Sequence, residues 1–277
     1  MVRSPSLVRI GLLLLVVAAV TCTVYLGNPL GQPVRTQTWA ATSEVGDVRV
    51  VSAEENRTLP EVATWADAHL KATAPLLGLP LRPLTVALFE DKDDYRTYGT
   101  AEIPGFHPRM DFCYSPAETA VVGYWTGRRE LFATLRHEMF HHLSQGRAQR
   151  PPLWLEEGMA EICENLDLNQ DGSLRITSLQ ADHLRMAGRA VQRGGVAAVT
   201  TFLANDRHYF RSEPLVAYGL GYSLALFLHE RGRLMAAVLE GRATIDAEAF
   251  ASFAVDSDRW SAVKDLPLMP VHVASVP

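Results

Sequence analysis

Cysteine is scarce in this sequence, with three residues in 277, at positions 22, 113 and 163. So few cysteines exclude a small fold stapled by several disulfides. They also exclude a cysteine-based zinc finger, which needs closely spaced pairs. Cys113 and Cys163 leave two interpretations open: one disulfide formed outside the cytoplasm, or two small buried apolar side chains.

An excess of basic residues is also absent. The 26 Lys and Arg are outnumbered by 31 Asp and Glu, which gives a net charge of −5. Nucleic-acid binding proteins usually present a basic face, so nothing here favours nucleic acid as a partner. We find no low-complexity tract and no internal repeat. The chain is 48% apolar, which is enough for one domain with a substantial core.

A long apolar run occurs near the N-terminus, where Arg3 and Arg9 precede an uncharged stretch at 10–26. A basic segment followed by an apolar one is typical of a secretory signal peptide or a signal-anchor. The 17-residue run lies at the short end of what spans a bilayer, so a cleaved signal, an uncleaved anchor and a buried helix remain alternatives. We therefore expect residues 1–27 to direct the rest of the chain outside the cytoplasm and to contact the membrane.

The remainder is predicted to be one domain at 47–265, preceded by a polar linker at 28–46 and followed by a tail at 266–277. Strand patterns and short helices alternate up to residue 127, and helical periodicity dominates from 128 to 265. The predicted strands are 47–52, 84–89, 110–114 and 119–125. The predicted helices are 59–77, 91–98, 128–144, 152–165, 178–192, 196–204 and 214–231, with less certain helices to about 264. This order predicts an α+β fold, a mixed-sheet lobe followed by a mainly helical lobe.

A zinc-binding pattern lies within the predicted helix 128–144. Residues 137–141 read His-Glu-Met-Phe-His. On a helix the first and fifth positions share one face, so His137 and His141 can both ligate one metal ion. Glu138 is turned away from the two imidazoles, which leaves it free to act as a general base on water.

A catalytic zinc ion usually has three protein ligands and one open position. The segment at 152–161 reads Pro-Leu-Trp-Leu-Glu-Glu-Gly-Met-Ala-Glu, and it supplies candidates for the third ligand. Glu157 and Glu161 lie one helical turn apart, so one can bind the metal while the other accepts a hydrogen bond from a ligand histidine. Metzincins, another class of zinc peptidases, carry a glycine three residues and a histidine six residues after the second histidine of the motif. Ser144 and Arg147 occupy those positions here, so this class is excluded.

His142 follows the second ligand histidine directly and points about 100° away from it around the helix. We predict that it is not a metal ligand, but a residue that supports the site or is exposed.

The His-Glu-x-x-His and Trp-Leu-x-Glu-Gly-x-Ala-Glu patterns together resemble the peptidase MA-like gluzincins, including a bacterial group of unassigned function and, more distantly, the aminopeptidase N family. The resemblance extends over about residues 47–250. It implies a zinc-dependent peptidase with a thermolysin-like core, in which Glu157 is the third ligand. It also implies that an edge strand flanks the cleft, by position the strand at 119–125.

A later segment, Tyr-Gly-Leu-Gly-Tyr-Ser-Leu-Ala at 218–225, is similar to a helix of the same family that carries a catalytic tyrosine. The resemblance assigns this role, stabilising the oxyanion, to Tyr218, with Tyr222 as a second candidate and core packing as the alternative for both. The sequence departs from the family pattern at Gly221, where serine is usual.

The aminopeptidase branch of the family that the sequence resembles normally carries a Gly-x-Met-Glu-Asn segment, which binds the free amine of the substrate. No such segment is present here, so nothing favours aminopeptidase activity. The substrate predicted from the resemblance is a peptide or a protein. The alternative function is that of a catalytically inactive, peptidase-like module that is tethered to the membrane and binds zinc or another protein.

Residues 167–172 read Asp-Leu-Asn-Gln-Asp-Gly, like the first half of a calcium-binding loop, with Asp167, Asn169 and Asp171 as ligands. Calcium-binding loops carry at position twelve a glutamate that ligates through both carboxylate oxygens. That position would be Ser178 here, so the loop is short of negative charge. A tight hairpin turn explains the same residues. We expect the turn, with weak calcium binding as the alternative.

Overall fold

The computed structural model describes residues 38–108, 110–147, 149–168 and 174–263. The strands are β1 (Ala41–Val45), β2 (Val48–Ser52), β3 (Leu84–Phe89), β4 (Phe112–Ser115), β5 (Ala120–Tyr124), β6 (Leu166–Leu168) and β7 (Leu174–Ile176). The helices are α1 (Leu59–Leu76), α2 (Lys92–Glu102), α3 (Arg128–Ser144), α4 (Leu153–Glu164), α5 (Ala181–Ala204), α6 (Asp206–Ser212), α7 (Pro214–Glu230), α8 (Leu234–Glu240), α9 (Ala247–Ala254) and α10 (Ser257–Val263). The predicted α+β layout is confirmed.

Five strands form a mixed sheet in the order β1-β2-β3-β5-β4. β2, β3 and β5 run parallel, whereas β1 and β4 pair antiparallel with their neighbours. The edge strand next to the cleft was predicted to be 119–125, and this is wrong. β5 lies inside the sheet because it pairs with β3 on one side, and its hairpin partner β4 takes the edge.

Both faces of the sheet are covered. Val50, Val86 and Val121 face α1 and the helical half, whereas Ala87 and Val122 pack with residues of α2. Side chains alternate between the two faces of a strand, so a sheet buried on both sides needs continuous apolar runs. This explains the run Leu-Thr-Val-Ala-Leu-Phe in β3.

The second half is built around α4, which packs between α3 and α7. Four apolar residues of α4 are almost completely buried, Trp154, Leu155, Met159 and Ile162, and three of its glutamates are also buried, with 4–8% of each residue exposed. Buried carboxylates are unfavourable unless they are paired or bind a cation. The glutamates of α4 therefore indicate where the chemistry of the molecule lies.

Several predicted boundaries differ from the structure. The segment 28–46, predicted as a linker, contains β1 at its end, which pairs with β2 through the turn at Gly46. The helix predicted at 91–98 continues to Glu102. The two helices predicted at 178–192 and 196–204 form α5, which is interrupted at Gly195 with a positive φ of 57°. The short strands β6 and β7, which flank the expected hairpin turn, and the short α6 were not predicted as elements.

Candidate metal centre

Helix α3 carries the two histidines of the motif. The ring centroids of His137 and His141 lie 5.0 Å apart, and both side chains are buried, with 8% and 6% of each residue exposed. A spacing of four residues on a helix produces this arrangement without help from tertiary structure. The pair therefore presents two nitrogen donors to one point beside the helix.

Helix α4 brings Glu157 to the same point. Its Oε2 lies 3.6 Å from His137 Nε2 and 3.7 Å from His141 Nε2. The three donor atoms all lie within 4.8 Å of one another. His137, His141 and Glu157, predicted as ligands from the sequence, thus form a buried group that could hold a metal ion.

The electrostatics of the group favour a cation. Burial acts to raise the pKa of Glu157, but His141, His137 and a hydrogen bond from Tyr218 outweigh it, and the net pKa is lowered. The pKa of His137 is raised, because contacts with Glu157 and Glu164 exceed the opposing effect of burial. Carboxylates outnumber the imidazoles here, so a divalent ion would balance charge that the side chains alone do not.

Glu164 is the closest carboxylate to the outer nitrogen of His137. Its Oε1 lies 3.0 Å from His137 Nδ1, whereas Glu161 Oε1 lies 3.8 Å from the same atom. Glu161 was predicted to accept a hydrogen bond from one of the two ligand histidines. Its other oxygen instead lies 3.3 Å from His183 Nδ1. The better-placed partner is Glu164, which sits seven residues beyond Glu157 on the same face of α4.

Glu156 lies near the outer nitrogen of the second histidine, with its Oε1 3.6 Å from His141 Nδ1. Ser144 Oγ donates a hydrogen bond of 3.1 Å to the same carboxylate oxygen. Sequence reasoning missed both Glu156 and Glu164 in these roles. The spacing of the glutamates at 157, 161 and 164 along one helix is the signal that could have found Glu164.

Glu138 lies in the same cleft and is 7% exposed. Burial raises its pKa, although the charges of His137 and His141 oppose this effect. A hydrogen bond from the backbone of Tyr114 in β4 also acts on this carboxylate. The edge strand thus helps to position the predicted general base.

The cleft has a volume of about 770 Å³ including its open mouth. Its lining residues are Ile103, Gly105, Phe106, His107, Met110, Cys113, Tyr114, Pro116, His137, Glu138, His141, Gln145, Glu157 and Tyr218. The lining thus combines apolar residues in and before β4 with the donor groups of α3 and α4 and with Tyr218 of α7.

Tyr218 and Tyr222 have different surroundings. Tyr218 lines the cleft and hydrogen bonds to Glu157. Tyr222 is fully buried, and its hydroxyl accepts a hydrogen bond of 3.2 Å from the backbone N–H of Gln180. Of the two candidates, only Tyr218 lies at the donor group.

Gly221 stands where the family that the sequence resembles usually has serine, and helix packing explains this difference. A Cβ placed on Gly158 of α4 would lie 2.2 Å from the carbonyl oxygen of Gly221, and one placed on Gly221 would lie 2.9 Å from the carbonyl oxygen of Trp154. The two backbones touch here, so a side chain at 221 would push α7 away from α4. The same contact brings Tyr218 close to Glu157.

His142 is fully buried between Arg82 and Tyr114, at 3.2 Å from the Arg82 carbonyl and 3.4 Å from the Tyr114 hydroxyl. It lies outside the donor group, as predicted, but the alternative that it is exposed is wrong. Cys113 and Cys163 are free and buried, which favours the apolar interpretation over a disulfide.

Of the three residues considered as calcium ligands, Asp167 lies in β6 and forms an ion pair with Arg136, with Asp167 Oδ1 3.3 Å from Arg136 Nη1. Asn169 and Asp171 lie outside the described residues. β6 and β7 pair antiparallel on either side of this segment, in agreement with the expected hairpin.

The predicted N-terminal signal or anchor also lies outside the described residues. Among the helices that the structure describes, none is long and apolar enough to cross a membrane.

Residues 131–244 match a protein-family model described as a protein of unknown function, DUF1570. The match begins in α3 and extends past α8, so it includes His137, Glu138, His141, Glu157 and Tyr218. The family description names no activity. The chain matches no curated protein.

Proposed function

We propose that this protein is a zinc-dependent peptidase that hydrolyses peptide bonds in peptide or protein substrates. The observation that carries the proposal is the convergence of two histidines and a glutamate, from α3 and α4, in a cleft that also contains Glu138. The resemblance to gluzincins assigns the metal-binding and catalytic roles to the same residues. Because it rests on the sequence alone, it is independent of the distances in the structure.

The donor set suits zinc. Zinc in catalytic sites is commonly held by two imidazole nitrogens and one carboxylate oxygen, at about 2.0–2.2 Å and in tetrahedral geometry. Ligand atoms at those distances are separated by about 3.3–3.6 Å. The separations of Glu157 Oε2 from the two imidazole nitrogens, 3.6 and 3.7 Å, are close to this range.

Zinc at His137, His141 and Glu157 would supply Lewis acidity and lower the pKa of a water molecule towards about 7. Glu138 accepts the proton of the attacking water and passes it to the amine that leaves. Its raised pKa suits a group that must both take and return a proton near neutral pH. Tyr218 donates a hydrogen bond to the developing oxyanion.

The position of β4 suits an extended polypeptide. Among the strands that the structure describes, β4 pairs with β5 on one side and forms an edge of the sheet. Residues 113, 114 and 116, in β4 and just after it, line the cleft. An extended peptide can add to such an edge through main-chain hydrogen bonds. That would hold a scissile bond beside Glu138 without requiring a particular sequence.

The alternative is an inactive peptidase-like module that holds zinc for structure or binding. Structural zinc sites are usually closed by four protein ligands. The group of His137, His141 and Glu157 has three members, and a module of this kind would have no use for a base at 138. These features favour the enzyme.

The decisive test is Glu138→Gln. We expect the variant to bind one equivalent of zinc like the wild type but to lose hydrolysis of a peptide library by at least about 10³-fold. Glu130→Gln, an exposed position on the same helix, is the matched control and should keep full activity. Zinc stoichiometry and peptide cleavage, each measured with and without a chelator, give the readouts. Undiminished hydrolysis by Glu138→Gln would sink the proposal.

We further propose that the domain works outside the cytoplasm and is held at the membrane by residues 1–27. The support is the basic and apolar pattern of that segment in the sequence. Fractionation of cells that express the full chain, with and without residues 1–27, tests it. Equal recovery of both forms in the cytoplasm would contradict it.

A further inference from the structure

We propose that the cleft selects peptides with a bulky apolar side chain, aromatic or branched aliphatic, next to the bond that is cut. This inference rests on the proposed peptidase function and adds the class of substrate. It is carried by the apolar wall of the cleft, which is formed by Ile103, Phe106, Met110 and Pro116.

That wall is apolar and continuous with the metal centre. Ile103, Phe106, Met110 and Pro116 line the same cavity as Glu138 and Glu157. Because a substrate carbonyl must lie beside the donor group to react, a side chain next to it is within reach of this wall. The cleft is open at its mouth, and these apolar side chains and the donor group belong to one continuous lining.

The wall is also fixed before any substrate binds. Phe106 packs edge-to-face with Tyr95 at 5.2 Å, and a Cβ on Gly99 would lie 2.4 Å from the Phe106 ring. The absence of a side chain at Gly99 therefore lets this ring lie flat against α2. Two backbone hydrogen bonds, from Phe106 N–H to the Ile103 carbonyl and from Met110 N–H to the His107 carbonyl, close the turns on either side. A preformed wall loses little entropy when it binds a ligand.

The charges of the cleft argue against charged side chains. The described residues that line it include no lysine or arginine, and the carboxylates among them are Glu138, the predicted base, and Glu157, a predicted metal ligand. An acidic side chain would meet these carboxylates, and a basic one would compete with the metal for them. An apolar side chain is favoured because it removes apolar surface of both partners from water.

The experiment uses the zinc-loaded protein and peptides of alanine, glycine and serine with one variable position. Peptides with Phe or Leu should be cut roughly 10- to 100-fold more efficiently, in kcat/KM, than the Ala peptide. Asp and Lys peptides should be no better than Ala. Phe106→Ala and Met110→Ala should each reduce the ratio of Phe to Ala efficiencies by about tenfold. Leu215→Ala, at an exposed position outside the cleft, should leave the ratio unchanged.

A binding measurement separates failure of this inference from failure of the proposed function. Zinc-loaded protein is titrated with acetohydroxamic acid and with 3-phenylpropanohydroxamic acid, which share the zinc-binding group and differ in the apolar one. We expect the phenyl compound to bind at least about tenfold more tightly, and this advantage to be lost in Phe106→Ala or, if that variant does not fold, in Phe106→Leu and Met110→Ala. Equal affinities would overturn the inference. A retained advantage without any peptide cleavage would instead reject peptidase activity alone.

Discussion

Glu164 Oε1 lies 3.0 Å from His137 Nδ1, at hydrogen-bonding distance, while Glu161 remains 3.8 Å from that atom. A carboxylate at the outer nitrogen of a ligand histidine fixes the orientation of the ring and makes it a better donor. Glu161 is closer to His183 than to His137. The three glutamates therefore take different positions although they share one face of α4: Glu157 lies at the inner nitrogen of His137, Glu164 at its outer nitrogen, and Glu161 beside His183.

Glu164→Gln should weaken zinc binding by about 10- to 100-fold, because the neutral amide holds His137 less strongly than a carboxylate does. Glu161→Gln should weaken it less. Competition with a chelator of known affinity measures both constants. A larger loss in Glu161→Gln than in Glu164→Gln would show that the distances assign the wrong partner.

Tyr218→Phe should lower kcat by about 10²–10³-fold, the usual effect of removing one donor to an oxyanion, with zinc stoichiometry unchanged. Tyr222→Phe loses a hydrogen bond to the backbone of Gln180 and should cost about 1 kcal/mol of stability, with kcat nearly unchanged. Steady-state kinetics and denaturant unfolding separate the two effects. A larger fall in kcat for Tyr222→Phe would contradict the assignment of Tyr218.

His69 makes stability depend on pH. Burial, together with the charge of Arg136, lowers its pKa from 6.5 to about 3. The unfolded chain therefore binds a proton between about pH 6.5 and 3 that the folded chain does not, and stability falls as pH falls through that window. At pH 5 the expected loss from this residue is about 2 kcal/mol relative to pH 7.5.

His69→Gln removes this titration. In metal-free protein, the free energy of unfolding of the variant should fall by about 2 kcal/mol less than that of the wild type between pH 7.5 and 5. Urea unfolding at both pH values gives the comparison, and the other titrating groups cancel in the difference. Parallel pH profiles for the two proteins would show that His69 is not buried in its neutral form.

Gly158→Ala should destabilise the fold by about 1–3 kcal/mol, the usual cost of an overpacked core. The added methyl group would meet the backbone of Gly221 and the side chain of Ala225. Since Glu157 is the preceding residue, zinc affinity should fall as well. Unchanged thermal stability together with unchanged zinc affinity would show that α4 and α7 can separate without cost.

The order of elements could be read from local patterns. β3 and α3 begin and end as predicted, at Leu84–Phe89 and Arg128–Ser144, because apolar periodicity and flanking loop residues act within a few positions. The sheet order could not be read in this way. Whether β4 or β5 occupies the edge depends on which strand pairs with β3, and that contact joins residues more than thirty positions apart in the sequence.

The sequence by itself determined the two histidines and Glu138, since a helix places residues four apart on one face wherever it folds. It also supplied several glutamates in the following helix. The resemblance pointed to Glu157 as the third ligand, and only the tertiary structure decided the positions of all these groups: the packing of α4 against α3 and α7 sets Glu157 beside both imidazoles, Glu164 behind His137 and Tyr218 in the lining of the cleft. The physical reason is that these distances depend on how helices pack, which the close contact of Gly158 with Gly221 sets here.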